Sequence, residues 1–215
     1  MPDNVDSSFV AMADELNVSR ETLGLLSIYQ ALLVKWQKKT NLVAPSTIDD
    51  YWIRHVADSI QCRHIKPDAR HWVDIGSGGG FPGLVVAADF AGQPDHSMVL
   101  VESNAKKCAF LREVSRKLGL GAEVVNDRIE NYIRPDNAPD VVTARALSNL
   151  NALLSYCEPW ISAKCVGLFH KGREYRREIE DCYDKWQFDL IEHRSKVSEE
   201  SVILEISNLT RRHQD

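Results

Sequence analysis

Asp74, Gly76, Gly78 and Gly80, one acid and three glycines at alternate positions, open the stretch of this chain best suited to holding a small charged molecule. An apolar run, residues 72–75, carries the acid into the glycines; Phe81-Pro82-Gly83 and a second apolar run, residues 84–90, follow. The pattern predicts a strand, a tight turn and a helix. Glycine permits positive φ and a close backbone approach to a ligand. Pro82 suits the first turn of a helix, and that helix offers free N–H groups and a positive dipole end at its N-terminus. Spacing then selects among ligands. Counted from Gly76, the dinucleotide pattern Gly-x-Gly-x-x-Gly fails, because its third position is Phe81. Counted from Gly78 it is met by Gly80 and Gly83, but two residues deeper in the turn.

Other chemistry-bearing residues recur just after later apolar runs. Glu102 ends the run 97–101, where a carboxylate can accept from both hydroxyls of a ribose. Asp127-Arg128-Ile129-Glu130 follows a short run at 124–125 and would lie near an adenine. Arg145 follows the run 140–143, and Lys171 the run 166–170. Each has a plainer reading: Glu102 as a helix N-terminal acid, Arg145 as a surface arginine. Open α/β sheets bind ligands outside the carboxyl ends of their strands, so four such ends lined up with the glycine turn favour a common site.

The elements that must position these groups are legible as alternation. Ser19 is placed to cap a long helix over residues 20–39, with Leu23, Leu26, Leu33 and Trp36 at helical spacing and Leu25, Ile28 and Leu32 widening the stripe. Its end carries Lys35, Lys38 and Lys39, read either as a solvated cap or as contacts to nucleic-acid phosphates. Thr47 with Asp50 resembles a capping box for a further helix, on which Arg54 and Asp58 could pair at i, i+4. His55 reads as a packed or solvated histidine rather than a catalyst. From residue 71 onward strands and helices alternate: strands at 72–75, 97–101, 124–125, 140–143 and 166–170, and helices at 84–90, 105–118, 149–160 and 174–185. The chain then closes with strands 188–193 and 202–206 around a polar loop. Alternation implies parallel pairing; a last strand–loop–strand implies a hairpin and one antiparallel strand. The expected boundaries are a helical extension at 1–66 and a ligand-binding domain at 67–215, packed as one unit.

Composition bounds the function. The chain has 215 residues, 44% hydrophobic and 27% charged, with a formal net charge of −5, so any nucleic-acid surface must be a local basic face. Cys62, Cys108, Cys157, Cys165 and Cys182 lack Cys-x-x-Cys spacing, which predicts reduced thiols, a cytoplasmic location and no metal site. No apolar run is long enough for a membrane span, and the polar, acidic first ten residues do not read as a secretory leader.

Asp-x-Gly-x-Gly-x-Gly resembles the first motif of S-adenosylmethionine (SAM)-dependent methyltransferases, whose sheet also ends in an antiparallel hairpin. Enzymes of that kind acting on exocyclic amines carry Asn/Asp-Pro-Pro-aromatic at the fourth strand end, where this chain has Thr143-Ala144-Arg145-Ala146; Cys157, inside a helix and before Pro159, is ill placed as a nucleophile. Beyond these motifs, Trp36 to Leu42, Arg54-His55-x-x-Asp58-Ser59, Asp74 to Gly83, Glu102 to Lys107, Phe110-Leu111-Arg112, Asp127 to Glu130, Arg145-Ala146 and Lys171-Gly172 together resemble the RsmG (GidB) family over most of residues 20–210. The resemblance implies a class I, Rossmann-like α/β fold with a seven-stranded, mostly parallel sheet. It also implies a bacterial enzyme that uses SAM to methylate N7 of one guanosine in the decoding-site loop of 16S rRNA, with the rRNA expected within the 30S particle. Gly76, Phe81, Ile129, Glu130 and Arg145 match that family's cofactor contacts, beside Asp74, Gly78, Gly80 and Glu102 from the motif itself; Arg145 would position, with no general base needed. Lys38, Lys39, Arg54, Lys171 and Arg173 are the candidate RNA contacts, and a monomer is expected. An inactive RNA-binding or ribosome-assembly factor of the same fold, and a nucleotide-cofactor oxidoreductase supported by the Gly78–Gly83 register, are the alternatives.

Overall fold

A computed structural model describes residues 7–161 and 164–212. Two helices open it, α1 (Ser7–Glu15) and α2 (Arg20–Gln37). Ser19 caps α2 as the sequence suggests, its Oγ accepting from Thr22 N at 3.0 Å. The buried stripe is narrower than the leucine pattern implies: Leu23, Leu26 and Leu33 are buried, but Ile28 is 48% exposed and Tyr29 takes the core position. Tyr29 lies in line with Leu26 and Leu33 at helical spacing, and Ile28 lies off that line.

The next segment departs from expectation. Residues Pro45–Thr47 form a 3-10 turn, Tyr51–Ala57 a π-helix, and only then does α3 (Asp58–Ile65) begin. The capping box is not formed: Thr47 Oγ1 donates back to Ala44 O at 2.8 Å, and Asp50 makes no side-chain cap. Nor do Arg54 and Asp58 pair, because the π-helical turn removes the α-helical i, i+4 alignment on which that pairing rests. Asp58 is buried while Arg54 is exposed. π-Helical turns are rare and concentrate at functional sites.

The rest is a seven-stranded sheet. Its strands are β1 (His71–Ile75), β2 (Ser97–Val101), β3 (Glu123–Val125), β4 (Val141–Arg145), β5 (Val166–Lys171), β6 (Trp186–Arg194) and β7 (Val202–Arg211). The order is β3-β2-β1-β4-β5-β7-β6, with β1 to β5 parallel and β7 antiparallel to both neighbours. Order reverses between β1 and β4, so the ligand crevice belongs at their carboxyl ends. Connecting helices are α4 (Gly83–Asp89), α5 (Ala105–Leu118), α6 (Ile129–Tyr132), α7 (Leu150–Ile161) and α8 (Tyr175–Glu180). α8 is shorter than the charged run 174–185 suggests. The chain turns early so that Cys182 and Trp186 are buried, with Trp186 Nε1 donating to Asn151 Oδ1 at 2.8 Å. The sheet ends on three-residue β3 at one edge and on β6 at the other, where pairing with β7 slips between Gln187 and Asp189.

α1 to α3 do not build a core of their own. Phe9, Leu26, Tyr29 and Tyr51 belong to one cluster with Phe81 and Val85 of the glycine-turn region and Phe110 of α5. Tyr29 stacks on Phe81 at 5.2 Å, and Trp36 packs on Phe110 at 5.8 Å while donating to Glu113 Oε2 at 3.0 Å. Burying such a side chain is worth about 1.5–3 kcal/mol, enough to fix the helical segment against the glycine-turn region and α5. Among the described residues no helix is long and apolar enough to cross a membrane.

Candidate functional site

Parallel register brings the sequence-predicted groups to one level. Ile75 pairs with Val101, so the glycine turn leaves β1 beside Glu102 at the end of β2. Gly76, Gly78 and Gly80 have φ of 64°, 54° and 90°, values that L side chains rarely adopt. The turn is further held by Ser77 Oγ, which donates to Asp74 O at 2.8 Å, and by Tyr29, whose hydroxyl donates to Gly79 O.

Three cavities run end to end along this face. The first, about 310 Å³, is lined by Gly76, Glu102, Lys107, Asp127, Ile129 and Glu130 among others. Glu102 is 8% exposed; its Oε2 accepts from Gly78 N at 2.9 Å and its Oε1 from Asn104 N at 2.8 Å. One carboxylate thus locks the glycine turn to the first turn of α5 and keeps further lone pairs free for hydroxyl donors. Asp127 Oδ1 accepts from Arg128 N at 2.7 Å and Asn131 Nδ2 at 2.8 Å; the Asn131 bond, then the backbone one, hold its pKa below the usual value.

The second cavity, about 440 Å³, is lined by the turn at Gly76–Gly79, by Phe81 and Arg145, and by Leu42, Val43 and Ala44. A Cβ built on Gly78 would meet nothing nearer than Gly76 O at 3.7 Å, whereas one on Gly76 would strike Leu147 at 2.5 Å. Gly78 therefore forms an open backbone cradle, of the kind a cofactor's methionine end would fill. Asp74 and Gly80, expected among the contacts, do not line these cavities. Asp74 is fully buried beneath the turn, accepting from Thr143 Oγ1 at 2.7 Å, and burial raises its pKa to about 6. Gly80 is packed against Leu84 and Tyr29. Both shape the turn from behind.

The third cavity, about 560 Å³, is lined by Arg54, Asp58, Arg145, His170, Lys171 and Ser198 among others. Arg145 stands between the second and third. Its side chain, 18% exposed, donates through Nη1 to Arg54 O at 3.0 Å and Asp58 Oδ2 at 3.2 Å, and through Nη2 to His55 Nδ1. It also lies over the Phe81 ring at 5.5 Å. The arginine placed at a strand end by sequence is thus neutralised by an acid from α3, at a separation in the chain that no local pattern reports. Asp58 additionally accepts from Ser195 Oγ at 3.3 Å, and His170 Nε2 donates to Asp58 O at 3.0 Å. Burial, followed by the Arg145 charge, pushes the His55 pKa down to about 3; burial also lowers that of His170.

Ala146 lines all three cavities and has φ 53°, a left-handed backbone unusual outside glycine. Sequence reading passed over Ala146, over the 42–44 segment, and over Asp58 as the partner of Arg145. Their local signals were the strings Arg145-Ala146, Trp36 to Leu42 and Arg54-His55-x-x-Asp58-Ser59, none of which assigns them a place at the site. Of the candidate RNA contacts, Lys38, Lys39 and Arg54 are exposed. Lys171 is instead tied down: its side chain is 7% exposed, and its ammonium meets Glu178 at 2.6 Å and Ser148 O at 2.8 Å. Arg173 is exposed but paired with Glu200 at 2.6 Å.

The model of the family described as rRNA small subunit methyltransferase G matches residues 22–206. Ribosomal RNA small subunit methyltransferase G of Rhizobium johnstonii is 50% identical over 198 residues, 91% of this chain and 97% of that one. The Rhizobium meliloti protein of the same name is 44% identical over 211 residues, 97% and 99% of the two chains. Solved structures share the fold at low identity. MtNAS in complex with S-adenosylmethionine aligns with a TM-score of 0.57 at 14% identity over 96% of this chain and 85% of its own. A ribosomal-protein methylase of Lactobacillus delbrueckii subsp. bulgaricus aligns at 0.54 and 15% over 72% and 77%. Relatives matched almost end to end, and a family model that takes in every wall of the three cavities, leave one assignment: this chain belongs to the rRNA small subunit methyltransferase G family.

Proposed function

We propose that this protein transfers the methyl group of SAM directly to N7 of a guanosine in 16S rRNA, within the 30S particle. The observation that carries this reading is the continuous trough, with a nucleoside-sized cavity, a backbone cradle and an acceptor cavity in sequence. S-adenosylmethionine, when bound, supplies a sulfonium-linked methyl group. Glu102 receives the ribose hydroxyls, Ile129 and Glu130 flank the adenine, and the Gly76–Gly79 backbone holds the methionine end. The target base enters the third cavity. Guanine N7 is an unprotonated acceptor on the base edge, so it needs alignment rather than a general base. Methylation leaves the ring cationic. An unpaired arginine would oppose that charge; the bond from Arg145 to Asp58 removes the opposition and leaves the planar fork as a positioning group.

Phosphates of the loop fall to the exposed Lys38, Lys39 and Arg54, with Arg173 exchanging Glu200 for phosphate; the bound state of Lys171 suits a structural role better. Sequence-specific RNA readers favour loops with unstacked bases, which matches an open acceptor cavity. One chain carries the whole trough, so a monomer acting in the cytoplasm suffices. The test is methyl transfer from labelled SAM to 30S particles lacking the modification, with the site mapped by mass spectrometry. Label at N7 of a single guanosine supports the reading. SAM binding without transfer would favour a ribosome-assembly role instead.

A further inference from the structure

Hydrogen-bond direction around His55 is fixed from one end. Arginine has donors only, so His55 Nδ1 must accept from Arg145 Nη2. The proton of the neutral ring then sits on Nε2, which lies 2.9 Å from Thr47 Oγ1. Thr47 Oγ1 receives it and passes its own hydrogen to Ala44 O at 2.8 Å. A single directed chain therefore runs from Arg145, at the end of β4, to the 41–47 strap that walls the second cavity. The strap's other end is gripped by Gln37, whose Oε1 accepts from Leu42 N at 2.9 Å and whose Nε2 donates to Val43 O at 2.8 Å. The π-helix carries the histidine, and the ring is buried and stacked on Phe81 at 4.7 Å.

We infer that His55 is a positioning residue: as the neutral Nε2–H form it couples Arg145 to the strap, and so sets the spacing between the methyl-donor and acceptor cavities. This rests on the methyl-transfer reading above. Asp58 balances Arg145 but does not bond the ring. Burial, then the positive charges of Arg145 and Arg54, oppose its protonation. A protonated ring would turn an Nδ1–H against the guanidinium and break the chain at its first link.

The chain can be cut at Thr47, which is half-buried, without disturbing the core. Thr47→Val keeps the shape and removes the hydroxyl; Thr47→Ser restores it. At saturating SAM and 30S particles, Thr47→Val is expected to lower the single-turnover rate about tenfold, the effect of one working hydrogen bond. SAM affinity by calorimetry should stay within about twofold, and Thr47→Ser should return most of the rate. His55→Asn combined with Thr47→Val should be no slower than the worse single variant, because both cut one chain. Nitrogen-15 NMR of the wild type should show Nε2 protonated and Nδ1 bare from pH 8 to pH 5. A protonated Nδ1, a wild-type rate in Thr47→Val, or additive effects in the double variant would each overturn the inference. Wild-type protein that fails to methylate 30S particles would instead overturn the proposed function, and the NMR result would still report on the chain.

Discussion

At the first cavity the acids and the glycine come from a strand end or the turn after it: Glu102 from β2, Asp127 and Glu130 from the β3 exit, Gly76 from β1. At the third cavity the key contacts cross the molecule, joining Arg145 to Asp58 and Arg54 of the N-terminal segment and His170 to Asp58. The first is a sheet device that any member of this fold can build locally. The second needs the π-helix, the 41–47 strap and the shared core of α1, α2 and α5. On the proposed assignment, holding a cofactor and choosing an acceptor are separable, and substitutions should pull them apart.

The largest separation is expected at the cradle. Gly78→Val forces a β-branched residue into φ 54° and fills the open space, so SAM binding should fall by at least about a hundredfold in calorimetry. Normal affinity would place the cofactor elsewhere. At the other end, Arg145→Lys replaces a fork that meets three acceptors with a point charge. Its single-turnover rate should drop about 30- to 1,000-fold, or ~2–4 kcal/mol, with SAM affinity little changed. Equal loss of affinity and rate would erase the distinction between the two ends.

Glu102→Gln should give the converse pattern. SAM affinity should weaken about ten- to a hundredfold, as expected when a charged acceptor is lost, while the saturated rate stays near wild type. A lower saturated rate with intact affinity would count against Glu102 as the ribose acceptor.

A smaller effect lies in acid stability. His55, with its pKa near 3 when folded, takes up its proton more readily unfolded, so its contribution is present above about pH 6.5 and is lost as pH falls. Asp74, raised to about 6, holds its proton more tightly when folded, so its contribution is present at low pH and lost as pH rises through about 4 to 6. The two slopes oppose each other in that window. Asp74→Asn removes one of them, so the urea midpoint of the variant should fall more steeply than wild type between pH 6 and pH 4, by up to about 1.4 kcal/mol per unit. Parallel slopes would mean that Asp74 is already ionised. The least effect is expected at the thiols: Cys157→Ala and Cys165→Ala should each keep methyl transfer, since both are buried and direct transfer forms no adduct. Loss of turnover in a folded variant would sink direct transfer.

The same division explains what was legible in the order of residues. Strand ends carry their chemistry in a few consecutive residues, so Glu102, the glycine turn and the β4 arginine could be placed from local pattern alone. The acceptor end hides in two ways. Asp58 and Arg145 are far apart in the chain, and periodicity says nothing of such pairs. The segment at 51–57 has apolar residues that fit an ordinary helix, and only the folded backbone shows the π-helix that separates Arg54 from Asp58. Lys171 failed as an exposed contact for a related reason, because its partner Glu178 lies one element later.

Sheet edges carry a consequence for assembly. A free edge invites a strand from another molecule, and long flat edges seed aggregation. β3 offers three residues, too few for a firm template. β6 is longer, but its pairing slips between Gln187 and Asp189, and Asp189, Glu192 and Arg194 are exposed along it. Strand addition there would crowd charges and meet a bent partner. Both edges also lie at the flanks of the sheet, away from the reversal between β1 and β4, so a molecule crowded against its neighbours at high concentration keeps its mouth clear.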